Sequence, residues 1–164
     1  MYSVNDVVMY GVFGICRVTA VEKRDLTGKE QEYYVLKHLN SDNSICYVPV
    51  NNEKALNRMH SVCTRTEADE LISHMSFAES IWIENETKRK EEYSRIVKGS
   101  DREELIKLIR TLYLRRRKLT EEGKRLRISD ENYFSIAEKM LFEEFAYALG
   151  IEPGEVAGYI EKHI

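Results

Sequence analysis

A chain of 164 residues that is 43% hydrophobic has enough apolar material for one medium core or two small ones, which excludes a globally disordered protein. No apolar run approaches the roughly 20 residues needed to span a bilayer. The opening MYSVNDVVMYG has no basic segment followed by an apolar one, so neither a membrane span nor a secretory leader is expected.

The formal net charge is −3, but it is unevenly placed. Residues 87–127 carry 15 basic and 7 acidic side chains, a net of +8, whereas 1–86 carry 8 and 13 and 128–164 carry 2 and 8. A cationic block between two anionic ones points to one polyanion-facing surface. Cys16, Cys46 and Cys63 are odd in number and widely spaced, which argues against a disulfide framework and fits a reducing cytosol.

Residues 1–50 read as β. Val7, Val8, Val12, Ile15, Val18 and Val21 give β-branched runs punctuated by Gly11 and Gly14. Leu26-Thr27-Gly28-Lys29 reads as a turn, 31–39 as a strand, 40–44 as a loop and 45–50 as the next strand. Four or five short strands this closely spaced predict a small barrel or a strongly bent sheet. Residues 52–65 read as a connector.

From Thr66 the period becomes helical. Thr66 with Asp69 predicts an N-cap for a helix reaching about Met75, and Asn85 caps a second that stops at Gly99. Ser100-Asp101-Arg102-Glu103 reads as a capping box with Ser at the cap. It opens a helix with Leu105, Leu108, Ile109 and Leu112 on one face. Gly123 marks a break. Ser129 caps a helix with Tyr133, Phe134, Ala137, Met140, Leu141, Phe145 and Ala148 at i, i+3, i+4, i+7 spacing, ending at Gly150. Pro153 fits the first position of a short last helix. The expected fold class is α+β: a β module over 1–60, then an all-α bundle of about five helices over 61–164.

Catalytic motifs are missing. There is no Gly-rich phosphate loop, no nucleophile elbow and no His-Glu-x-x-His. His60-x-x-Cys63, with Cys46 and His74 elsewhere, supplies one close pair where a zinc site needs two, so these residues read as ordinary polar and half-buried ones. Glu143-Glu144 reads as a solvated helix face, because adjacent helical residues point apart. No enzyme, cofactor or metal is expected.

The basic block carries more weight. Lys88, Arg89, Lys90 and Arg95 fall on the second helix, Arg115, Arg116, Arg117 and Lys118 end the third, and Lys124, Arg125 and Arg127 follow the break. Cations at a helix end and in the next turn can converge on a phosphate backbone and release its counterions. Trp82, the only tryptophan, borders the block, either as a core anchor between Ile81 and Ile83 or as an exposed wedge against bases.

The chain resembles the CarD/CdnL-type bacterial transcription regulators. In the N-terminal half the likeness rests on Val4-Asn5-Asp6-Val7-Val8-Met9-Tyr10-Gly11-Val12-Phe13-Gly14, on Gly28, on Tyr33-Tyr34-Val35-Leu36 and on Val48-Pro49-Val50. In the C-terminal half it rests on Arg89, Tyr93, Lys98-Gly99-Ser100-Asp101, the 112–118 run, Ser129-Asp130, Ala137-Glu138 and Leu141. The resemblance implies a Tudor-like domain that docks on the RNA polymerase β subunit, and a helical half that contacts promoter DNA at the upstream edge of the forming bubble. It implies open-complex stabilisation, no catalysis and no helicase region. Three departures stand out: Asn5 replaces the family's opening Gly, the Pro after Tyr10 is missing, and the family's DNA-wedging Trp falls on Asn85.

The expectations that follow are residue-specific. Polymerase docking is expected at Arg24, Tyr33, Tyr47 and Val48. DNA contact is expected at Trp82, Asn85, Lys88, Arg89, Arg115, Arg116, Lys118, Lys124 and Arg125. The expected setting is the cytoplasm, with no membrane partner and with either a monomer or an edge-paired dimer. The alternative is a protein-interaction adaptor that binds no DNA, which a nuclease-insensitive pull-down would reveal.

Overall fold

Strands β1 (Val7–Tyr10), β2 (Gly14–Asp25), β3 (Glu30–His38), β4 (Ile45–Pro49) and β5 (Met59–Ser61) form one antiparallel sheet in the order β4-β3-β2-β1-β5. The computed structural model describes all residues 1–164, which divide into two units, Met1–Val62 and Cys63–Ile164. Val8, Cys16, Val18, Tyr34, Leu36, Val48 and Met59 make the core of the first. The two end strands of the order do not pair, so the sheet is bent but open. A register shift between Val18 and Ala20 supplies a bulge, where the Thr19 hydroxyl donates to the Val35 carbonyl at 3.2 Å.

Asn5 occupies the left-handed region at φ 79°, and its N–H donates to the Val18 carbonyl at 2.7 Å. Asn is among the few non-Gly residues that tolerate this conformation. The connector holds more structure than its sequence announces. Asn52 caps the single turn α1 (Glu53–Leu56), and β5 pairs with β1, His60 opposite Met9.

The second unit contains α2 (Arg65–His74), α3 (Glu86–Gly99), α4 (Arg102–Glu121), α5 (Ile128–Leu149) and α6 (Val156–His163). The elements match the helical periods, but three caps differ from the sequence reading. α2 is capped by Thr64 in a box with Glu67, two residues before the expected Thr66. Ser100 cannot cap α4, because it closes α3 in the left-handed region at φ 54°; Asp101 caps instead, accepting from the Glu104 N–H at 3.0 Å. α5 starts at Ile128 after Arg127, without a side-chain cap, so Ser129 lies inside it. Pro153 opens a 3-10 turn, Pro153–Glu155, that leads into α6.

α5 is the central helix, packed against α2, α3, α4 and α6. That placement overturns the solvated reading of Glu143-Glu144, since both are buried. Glu144 accepts from the Arg102 guanidinium at 2.8 Å and from the Cys63 N–H at 3.0 Å, so its charge is compensated.

Burial, with Glu144 adding to it, pushes the Cys63 thiol from 9.0 up to about 12. Burial, with Asp130 adding to it, pushes the Tyr93 phenol from 10.0 up to about 12. The folded state keeps both protons at a pH where the unfolded chain has released them. Stability is therefore complete below pH 9 and falls as pH rises toward 12. Denaturant midpoints across that window should drop in the wild type and drop less in a Cys63→Ala, Tyr93→Phe double variant; equal slopes would contradict this origin.

Candidate polymerase and nucleic-acid interfaces

Alternation along the strands puts Glu22 and Arg24 of β2, Gln31 and Tyr33 of β3, and Tyr47 of β4 on the sheet face opposite the core. The register sets Tyr33 opposite Glu22 and Gln31 opposite Arg24 on one side, and Val35 opposite Tyr47 on the other. The Arg24 guanidinium lies 4.8 Å from the centre of the Tyr47 ring and takes Glu22 as its ion partner at 2.5 Å. Tyr47 meets Tyr33 edge-on at 6.5 Å, and Gln31 donates to the Tyr33 hydroxyl at 2.8 Å. Three of the four residues expected to dock on a partner thus form one cluster on this face, but Tyr33 is buried within it at 3% exposure, so only Arg24 and Tyr47 reach its surface. Val48 does not join them. It faces the core opposite Tyr34 at 0% exposure, so its side chain holds the sheet and touches no partner. β4 is an edge strand, whose outer row of backbone groups suits pairing with another strand.

In the helical unit the expected DNA-contacting residues separate into three kinds. Arg89 belongs to the interior. Its Nε and Nη2 donate to the two Asp130 carboxylate oxygens at 2.9 and 3.0 Å, with side chains only 3% and 2% exposed. Its Nη1 donates to the Ile83 and Glu84 carbonyls at 2.9 and 3.3 Å. Arg89 is therefore an internal clamp that ties α3, α5 and the segment before α3 together, and it is removed from the phosphate-contacting set. Asn85 uses its side-chain oxygen to cap α3 through the Lys88 N–H at 3.0 Å.

The second kind is already paired. Arg116 lies over the Phe134 ring at 4.4 Å and 3.7 Å from Glu131, and Lys124 lies 3.9 Å from Glu122. Elsewhere in the block Lys90 and Arg127 share Glu86, and Arg95 bridges Glu92 and Glu104. The block's charge is thus partly neutralised in place. The third kind has no ion partner: Lys88, Arg115, Lys118 and Arg125. Lys118 follows Arg115 by three residues on α4, so the two share a face.

Trp82 packs half-buried against the helical core. The guanidinium carbons of Arg89 and Arg115 lie over its ring at 4.3 and 4.5 Å, and its Nε1 donates to Glu84 at 3.0 Å. Beside it opens a cavity of about 220 Å³ lined by Arg89, Arg115, Arg125, Arg127, Glu84 and Asp130, among others. Trp82, Arg89, Arg115 and Arg125 are thus brought together, although Arg89 arrives already spent on Asp130.

From sequence, Arg127 counts in the basic block without a place among the contact residues, and Asp130 is not identified as a buried ion partner. A signal for Asp130 was present: Asp130, Phe134, Ala137 and Leu141 follow one helical stripe, as do Arg89, Tyr93, Ile96 and Val97. A charged residue on each apolar stripe is the pattern of a buried pair.

Comparison with known proteins gives two results. Residues 2–60, the β unit, match the family model described as the CarD-like/TRCF RID domain. No curated protein matches the chain.

Proposed function

With residues 2–60 forming a CarD-like/TRCF RID domain, an RNA polymerase-interacting module of transcription proteins, we propose that this chain regulates transcription by bridging polymerase and promoter DNA. In this reading the β unit docks on the polymerase β subunit through Arg24, Tyr47 and the β4 edge, with Tyr33 buried behind them as support for the Tyr47 ring. The helical unit meets the duplex at the upstream edge of the bubble through Lys88, Arg115, Lys118 and Arg125. Trp82 contributes by holding Arg115 in place, since it packs on the core beneath two guanidiniums.

The observation that carries the reading is the pairing of an RNA polymerase-interacting domain with four unpaired cations on the other unit. Docking makes the DNA contact intramolecular, so weak intrinsic affinity suffices. A regulator that binds the open complex better than the closed one shifts the equilibrium by that difference. A few phosphate contacts supply an amount on the scale of a few kcal/mol, comparable to unstacking a base step.

An Arg24→Glu, Tyr47→Ala variant is expected to lose at least tenfold in affinity for the isolated β-subunit lobe, on the order of 1.4 kcal/mol or more. Because the side chains at both positions stand on the sheet surface, its unfolding midpoint should stay near that of the wild type. Calorimetric titration of the lobe measures the first and urea denaturation the second. Unchanged lobe affinity would move the docking surface elsewhere.

A further inference from the structure

We infer that the cavity beside Trp82 is a binding pocket for a phosphate group, with Arg115 and Arg125 as its ligands. The inference rests on reading this face as polyanion-facing, and it adds a discrete site where a diffuse patch was expected. The charges on the cavity walls do not all cancel. Arg89 is neutralised by Asp130 and Arg127 by Glu86 at 2.7 Å; the Glu84 carboxylate takes the Trp82 N–H but keeps its charge, so four cations face three carboxylates and the walls hold a net of +1. Arg115 and Arg125 remain, with no carboxylate partner for either.

Arg115 adds a more specific mark. Its Nε is sealed from solvent and has no hydrogen-bond acceptor. Buried donors are almost always paired, so this orphan marks a guanidinium whose hydrogen bonding is incomplete; a donor closed to water is closed to a phosphate oxygen as well, so the Nη groups are the ones that would make the contact in the cavity. Stacking over Trp82 engages the flat face of the guanidinium and leaves its N–H edge, which radiates in the plane, free to donate. The indole therefore fixes the orientation of a donor fork that lacks an acceptor. The about 220 Å³ of space is far more than the roughly 10–15 Å³ that a single water requires. A tetrahedral anion with several acceptor oxygens meets both guanidiniums at once, which one carboxylate oxygen does not.

Two sources share this chemistry: a backbone phosphate of a nucleic-acid strand, and a free nucleotide. Trp82 is the only tryptophan and lies against Arg115, so its emission reports directly on the pocket. The full chain is titrated with inorganic pyrophosphate, with a nucleoside triphosphate and with a short single-stranded oligonucleotide, while Trp82 emission and oligonucleotide anisotropy are recorded. A saturable Trp82 response is expected, weakened roughly tenfold in Arg125→Gln, which removes one charge-assisted contact. Lys118→Gln, outside the cavity, should weaken the oligonucleotide but leave the pyrophosphate response unchanged. A response to the oligonucleotide alone assigns the pocket to a strand phosphate; a response to the small phosphates as well assigns it to free nucleotides too. Oligonucleotide binding by anisotropy with a silent Trp82 overturns the pocket and leaves the polyanion-facing surface standing. No binding at all overturns both.

Discussion

Replacing Asp130 with alanine is expected to destabilise the helical unit by about 3–5 kcal/mol, the cost of leaving a buried charge without its partner. The Arg89 guanidinium is held at 2.9 and 3.0 Å by that carboxylate, and it also carries the Ile83 and Glu84 carbonyls. A loss of this size is a large share of the about 5–15 kcal/mol that keeps an ordinary domain folded. Replacing both partners with apolar residues, Arg89→Met with Asp130→Leu, should recover much of the loss, since a pair of this kind is often matched by hydrophobic packing. Urea unfolding followed by Trp82 emission gives both numbers. An Asp130→Ala cost below about 1 kcal/mol, the scale of an exposed ion pair, would mean that the pair is not buried in solution.

The second large effect concerns DNA. A Lys118→Glu, Arg125→Glu variant should lower affinity for duplex or forked DNA on the order of 100-fold at low salt, and reduce the slope of log affinity against log salt by about 2. Both positions are exposed and without ion partners. Stability should therefore stay within about 0.5 kcal/mol of the wild type. Anisotropy titrations at several salt concentrations measure affinity and slope together. Retained affinity with an unchanged slope would remove these cations from the interface and favour the adaptor reading. Arg116 is a poorer choice for this test, because it also packs over Phe134 and faces Glu131, so its loss mixes structure with binding.

The sheet and the five helices of the second unit were legible because their signals are local. β-branched runs with Gly punctuation mark the strands, and 3.6-residue stripes mark the helices. What escaped depends on pairing at long range or on a competing local fit. β5 has three residues and no pattern of its own; its pairing with β1 alone makes it a strand. Ser100 satisfied the capping-box spacing, but the preceding helix needed that residue for its own left-handed end. The same limit shaped the candidate sites. Sequence nominates Arg24, Tyr33, Tyr47 and Val48 together as docking residues, whereas the burial of Tyr33 and Val48 follows from pairing across the sheet, Val48 opposite Tyr34 and Tyr33 opposite Glu22 and Pro49. Counting charge along the chain gave a cationic block, but it did not reveal that Arg89 is internal or that Arg95, Arg116 and Arg127 already face carboxylates. Only four unpaired cations remain from the expected set, and two of them line the Trp82 cavity.

The central claim is that both units must act on one promoter complex. The most direct test is the lifetime of open complexes after a competitor challenge, with wild type, Arg24→Glu/Tyr47→Ala and Lys118→Glu/Arg125→Glu compared at equal concentration. The wild type should lengthen the lifetime, and each variant should lose that effect, the first by failing to dock and the second by docking without holding DNA. A full lifetime extension by the Lys118→Glu/Arg125→Glu variant would contradict the account.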